Sequence, residues 1–302
     1  MTILLRSTSI AALVFVLSGC TTTPPTALKT GDVPPGFTAP HDEHAQLWPA
    51  SDWWNGLNAP ELPALEQAAQ EQNLDLAAAA ARVLQAQANV GIAGSALFPS
   101  ITGTGNAERS GTNKPSVIDP ITHTRIGNTT NTFGIGAQAS YEVDLWGLNQ
   151  DQLRAAEENE LSARYAQQTV ALTVTSDVAN TYFDILALRQ RIAIAKNNID
   201  AAKRILVITE AKVTNGVSSN LDLAQQKAQL AGEEATIPPL EEQEREARYA
   251  LAILLGRPPE GFDVKGSNLD NIVAPPVNPG VPSALLARRP DVASAEATLL
   301  SA

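Results

Sequence analysis

A single cysteine, Cys20, stands among 302 residues, so no disulfide can form within the chain. Aromatic side chains make up 5% of the composition. That excludes a deep core built on large rings, and the abundant alanine points instead to long helices in close approach. Basic residues are outnumbered: 21 Lys and Arg against 32 Asp and Glu give a net charge of −11. Nucleic acid is excluded as a partner, because displacing its counterions needs clustered lysine and arginine. The three histidines, His41, His44 and His123, lack the spacing of a metal site. Nucleophile elbows, phosphate-binding loops, dinucleotide fingerprints and zinc patterns are all missing. No catalytic residue, metal or dissociable cofactor is therefore assigned, and the chain reads as a non-enzyme. Beyond the N-terminal segment there is no apolar run of ~18 residues, which excludes a membrane-spanning helix. Any span has to be made of strands.

What is present begins at the N-terminus. Met1 to Arg6 is a short basic stretch, and Ile10 to Leu17 is an apolar run too short to cross a bilayer as a helix. It ends in Leu17-Ser18-Gly19-Cys20, which resembles the bacterial lipobox. Residues 1–19 read as a signal peptide, with Cys20 left to carry a covalent diacylglycerol and a palmitate. Several acyl chains on one cysteine make a stable anchor where a single chain would not. An ordinary secretory signal with an incidental cysteine is the alternative. Thr21 follows where an aspartate would otherwise redirect sorting, a pattern that resembles delivery to the outer membrane. Thr21 to Pro40 is rich in Thr and Pro and reads as a tether, within an N-terminal segment covering 20–60.

From Glu61 to Leu97 the sequence is helical in character, and Pro99 stops it. Small and polar residues then alternate over 100–110, a first strand. Gly111 to Asn131 is rich in Thr, Asn, Gly and Pro, a loop. A second strand over 131–145 alternates strictly. Phe133, Ile135, Ala137, Ala139, Tyr141, Val143 and Leu145 share one face, while Thr132, Gly134, Gly136, Gln138, Ser140, Glu142 and Asp144 share the other. A membrane barrel needs this pattern, apolar to lipid and polar to lumen. A half-buried strand of a soluble sandwich would show it too. The company it keeps decides: one hairpin alone is marginally stable and has open edges, so other strands have to complete it.

Helix follows over 148–214. Val178, Ile185, Ile192, Ile199, Leu206 and Val213 recur every seventh residue, beside a second row of Val174, Thr181, Leu188, Ala195, Ala202 and Thr209. Sustained heptads mean lengthwise packing against other helices, along a rod on the order of 100 Å. Asn215-Gly216 makes a turn, with Gly216 placed as a left-handed cap and Ser219 or Asn220 capping the return. The returning helix, 219–255, keeps the spacing through Leu223, Leu230 and Ile237, skips at Glu244 and resumes at Leu251. Pro238-Pro239 has to break or kink it. An irregular connector over 257–284 precedes a second helical start at 285–302. Asp291 to Ala302 can be laid over Asp75 to Ala86, with Asp75/Asp291, Ala77/Ala293, Ala79/Ala295, Ala81/Ala297, Leu84/Leu300 and Ala86/Ala302 identical. This points to duplication, with 61–256 as a first repeat and a second one cut off soon after it begins.

Several stretches together resemble the outer-membrane factor family, the TolC-like channels, and most closely its lipoprotein branch of OprM and NodT type. They are Trp48-Pro49 through Trp53-Trp54, Ala96-Leu97-Phe98-Pro99, Ser140 to Gly147, Asn215-Gly216-Val217-Ser218, Ala252 to Gly256, and Pro282 to Asp291. The resemblance covers essentially the whole chain. It implies a mainly α fold with a β-hairpin, one repeat of a trimeric α/β-barrel in which three protomers build a barrel on a periplasmic helical tunnel. It implies an outer-membrane channel of a tripartite efflux system, a passive exit duct for drugs or other small solutes. A periplasmic adaptor and an inner-membrane pump would be its partners, beside outer-membrane lipid. The turn at Thr214, Asn215, Gly216, Val217 and Ser218 would be the adaptor-docking tip, and Gln138, Ser140, Glu142 and Asp144 would face the lumen. The resemblance places the family's gating residues in the second repeat's helices, past Ala302.

Blander roles stand beside these. Glu142 and Asp144 would tune lumen charge or be merely solvated. Trp146 is an interfacial anchor or a packing residue. Trp48, Trp53 and Trp54 pin the N-terminal segment to the helices, with binding of a sugar or other ligand as the alternative. Arg288-Arg289-Pro290-Asp291 starts a helix, with phosphate binding as the alternative. The rival functions are a periplasmic adaptor or scaffold lipoprotein and a nonfunctional remnant of the channel.

Overall fold

The computed structural model describes residues 52–111, 121, 123, 129–274, 278 and 280–302. Leu17, Ser18, Gly19, Cys20, the tether, Trp48, His41 and His44 lie outside the described residues. After a 3-10 turn at Trp53–Leu57 come helices α1 (Leu62–Gln72) and α2 (Leu74–Ser95), then strands β1 (Ser100–Gly111) and β2 (Thr129–Ser140). Helices α3 (Leu148–Thr214), α4 (Asn220–Glu234), α5 (Ile237–Leu254), α6 (Pro282–Arg288) and α7 (Pro290–Ser301) follow. Among the described residues the fold is mainly α, with one two-stranded antiparallel sheet. No described helix is long and apolar enough to cross a membrane.

The sequence expectation of one helix from Glu61 to Leu97 is corrected at Asn73. This residue takes ψ 130, outside helical space, and divides the run into α1 and α2. Its Oδ1 accepts from the N–H groups of Asp75 and Leu76 at 2.9 and 3.0 Å, capping α2. Its Nδ2 donates to the Leu254 carbonyl at 2.8 Å. One side chain thus starts α2 and ties it to the end of α5. The second correction concerns β2, which ends at Ser140 rather than Leu145. Ser100 pairs with Ser140 as the last rung, and the residue preceding it is Pro99, which has no N–H to continue the ladder.

The 67 residues of α3 form a rod of ~100 Å. Both seven-spaced rows, Val178 to Val213 and Val174 to Thr209, are buried or half-buried throughout, while Ile194, Ile205, Val207 and Ile208 between them are exposed. Leu223, Leu230, Ile237, Glu244 and Leu251 keep the same shielded phase on the return. The two prolines stand in the first turn of α5, where a missing N–H leaves nothing unbonded, so the return breaks after Glu234 and restarts. Along the hairpin Lys196–Glu241, Lys203–Glu234 and Lys227–Glu210 pair at 3.6 Å each, one heptad apart. Each exposed pair contributes only about 0.2–1 kcal/mol. Their larger effect is on register: a slip of one heptad sets Glu210 against Glu234, or Lys203 against Lys227.

The core sits round the middle of α3. Leu62, Leu65 and Ala69 of α1 meet Val174, Val178, Tyr182, Ile185 and Leu186 of α3, Leu251 and Leu255 at the end of α5, and Val264 of the connector. Trp53 and Trp54, in edge-to-face contact at 5.9 Å, pack against this cluster and pin the N-terminal segment there. Arg189 of α3 clamps the connector. It donates to Glu244 at 2.9 Å, to the carbonyls of Val264 and Gly266 at 2.6 and 2.7 Å, and to Asp263. Burial works against the Asp263 charge, but the hydrogen bonds from Arg189 and the Val264 N–H, with the charges of Arg189 and Arg248, together outweigh it and hold that carboxyl below its ordinary value. Arg189→Met leaves two carboxylates and two carbonyls without this donor. A loss of about 2 kcal/mol is expected in urea melts, below the figure for a fully buried pair because Asp263 is exposed.

The proposed duplication has a structural counterpart. Helices α2 and α7 begin at Leu74 and Pro290, 216 residues apart, and each carries an aspartate, Asp75 or Asp291, in its first turn. Both lie along α3. Ser162 of α3 bonds Ser294 at 3.0 Å and Thr298 at 2.9 Å on α7. Arg289 pairs with Asp291 across Pro290, which fits the helix-start reading of that motif.

Candidate functional site

Strand register sorts the hairpin into two faces. Ile101 opposes Ala139, Gly103 opposes Ala137, Gly105 opposes Ile135 and Ala107 opposes Phe133. Directly opposed residues share a face, so these eight form one apolar wall. Ser100 with Ser140, Thr102 with Gln138, Thr104 with Gly136, and Asn106 with Gly134 form the other, carrying hydroxyls and amides. Gln138 and Ser140 therefore stand on the polar face. Both walls are open: Ile101 and Phe133 are each 78% exposed and Ile135 is 97% exposed. Gly134 is the one half-covered strand residue, because the Asn106 amide lies across it. A Cβ there would come within 2.4 Å of Asn106 Oδ1.

Glu142 and Asp144, expected on the lumen side of the strand, lie past its end. This is a correction, with Pro99 as its cause. The Asp144 carboxylate instead accepts from the Gln150 N–H at 3.0 Å, holding the first turn of α3. An acid at a helix N-terminus also favours the dipole. Trp146 is 78% exposed and stands outside the buried core.

At the opposite end of α3 the turn is rigidly built. Gly216 takes φ +77. The N–H groups of Gly216 and Val217 close onto the carbonyls of Val213 and Lys212 at 2.9 and 2.8 Å. Ser219 and Asp222 form a reciprocal capping box, and Ser218 donates to Asp222 at 2.8 Å. These bonds, led by the Ser219 N–H, hold the Asp222 carboxyl below its ordinary value. With its pKa lowered in the fold, the cap's contribution is present at neutral pH and is lost as pH falls through the acid range. Thr214, Asn215, Gly216 and Val217 are exposed and Ser218 is half-buried. Val217 at 75% and Leu221 at 66% offer apolar surface on this fixed frame. Ser219→Ala is expected to cost about 1 kcal/mol, read as faster amide exchange confined to the start of α4.

Three features escaped the sequence reading: the Asn73 tie, the Arg189 clamp and a buried Glu66. Each left a partial signal: Asn73 is a residue type that caps helices, Glu244 interrupts the heptad row where the clamp's acid sits, and Glu66 falls in phase with Leu62, Leu65 and Ala69.

The outer membrane efflux protein family model matches residues 65–257. The chain belongs to the outer membrane efflux protein family. Among curated relatives it is 40% identical over 250 residues to the pyoverdine export outer membrane protein OpmQ of Pseudomonas aeruginosa, covering 83% of this chain and 53% of that protein. It is 38% identical to the OpmQ of Pseudomonas putida over 292 residues, 95% of this chain and 61% of that protein. Among solved structures it is similar to the outer-membrane channel OprN, with a TM-score of 0.78 and 26% identity over 93% of this chain and 62% of that one. The chain thus spans between half and about three fifths of the curated relatives it matches. The family explains the fold, a helical hairpin bearing one pair of strands.

Proposed function

We propose that this chain supplies one repeat's worth of wall to a trimeric outer-membrane duct, through which an efflux assembly passes small solutes. The carrying observation is the two-faced hairpin, bare on both sides, at one end of a ~100 Å helix. Inward, it offers serine, threonine, asparagine and glutamine; outward, isoleucine, phenylalanine and alanine, the division a barrel strand needs. Passage is passive, with energy supplied by an inner-membrane pump. The tip at Thr214–Ser218 docks the periplasmic adaptor, and acylated Cys20 holds the N-terminus to the outer-membrane leaflet. Pyoverdine export by OpmQ supports pyoverdine as a candidate cargo, beside drugs. The adaptor and scaffold reading is less favoured, since it leaves the apolar strand face without a use.

Planar-bilayer recording of the full-length gene product tests this reading. Stable conductance steps from a trimeric species support it; a purified trimer that never conducts overturns it. The anchor has its own check: labelled palmitate incorporates into wild type and is lost in Cys20→Ser.

A further inference from the structure

Glu66 lies on the inner stripe of α1 with Leu62, Leu65 and Ala69, and none of its surface reaches solvent. Neither carboxyl oxygen has a hydrogen-bond partner. A bare carboxylate in such a place is far costlier than the neutral acid, so the group sheds its charge by keeping its proton. Burial pushes its pKa up to about 8 from 4.5, with no charged neighbour contributing. The ionisable groups on the surrounding elements are otherwise engaged. Tyr182 of α3 is a core phenol raised by burial and by Glu61. Arg189 of α3 and Arg248 of α5 are bound to Glu244, and Arg189 also to Asp263 of the connector. Glu61, just before α1, accepts from the N–H groups of Lys265 at 3.0 Å and Gly266 at 3.2 Å. The start of α1 therefore grips the connector, while its inner face seats a carboxyl on α3.

We propose that Glu66 is a proton-operated latch of this mid-helix band: the neutral acid lets α1 seat on α3, and its ionisation unseats α1 and frees the connector that Glu61 holds. The sign follows from linkage. The folded state binds the proton more tightly than the unfolded state, so the contribution is full below 4.5 and is lost as pH rises through about 8. Between those values the folding constant falls about tenfold per pH unit.

Amide hydrogen exchange on the full chain in lipid nanodiscs, at pH 6 and pH 9 either side of this ionisation, tests the latch. After correction for intrinsic base catalysis, protection of Leu62–Gln72 is expected to drop at least tenfold at the higher pH, while Asn220–Glu234 stays unchanged. Glu66→Gln, always neutral, and Glu66→Leu flatten that dependence. Constant protection in wild type, or an equal drop retained in Glu66→Leu, overturns the proposal. Should both variants fail to fold, infrared spectra of wild type with labelled glutamate decide. A neutral-acid carbonyl band at pH 6 that vanishes by pH 9 supports the latch, and its absence at pH 6 contradicts it.

Discussion

Ile135→Arg is expected to abolish stable insertion into the outer membrane, while Gln138→Arg leaves assembly intact and shifts ion selectivity. The two positions are three residues apart on one strand and point to opposite faces. Ile135 is 97% exposed and opposes Gly105, which offers no side chain to shelter it. An arginine facing lipid near the midplane costs about 2–4 kcal/mol per copy, and a trimer carries three copies. At position 138 the new charge meets water and the hydroxyl of Thr102 across the rung. Membrane fractionation and trimer yield read the first variant; reversal potential in a salt gradient reads the second. Equal tolerance of both substitutions would remove the two-faced wall from the account.

Gly256→Ala has the second large effect. Gly256 ends the returning helix at φ +64, and a Cβ there would lie 2.2 Å from the Gln72 carbonyl oxygen. The left-handed conformation alone costs an L-residue about 1–2 kcal/mol. The contact is with backbone, which no rotamer change relieves, so α1 and α5 have to separate at the same junction that Asn73 ties. Together these give roughly 2–5 kcal/mol of destabilisation. Gly216→Ala isolates the conformational part: φ is +77, but nothing lies within 4 Å. It is expected to cost only about 1–2 kcal/mol. Urea midpoints of the two variants separate strain from collision, and equal midpoints contradict the close approach.

Legibility followed the range of the interaction. Heptads and period-two alternation are local, and α3, its return and the hairpin were readable from them. Gly216 and Ser219 were readable because caps act within a turn. The Asn73 break was only half readable: its cap on α2 is local, but its tie to the Leu254 carbonyl, 181 residues away, is not. The end of β2 was not, because alternation continues past Ser140 and only the partner strand's Pro99 stops the pairing. That one long-range fact moved Glu142 and Asp144 off the candidate wall. Glu244 looked like a lapse in the heptad row and is instead the acid that Arg189 and Arg248 share.

The completed wall is tested most directly by spin labels placed one at a time from 132 to 139 in the assembled protein in lipid, with Cys20 alone as background. Collision with oxygen dissolved in the bilayer is predicted to peak at 133, 135, 137 and 139. Collision with an aqueous nickel chelate should peak at 132, 134, 136 and 138. If the odd positions meet neither quencher, they are packed inside protein, and the hairpin is not the wall of a membrane duct.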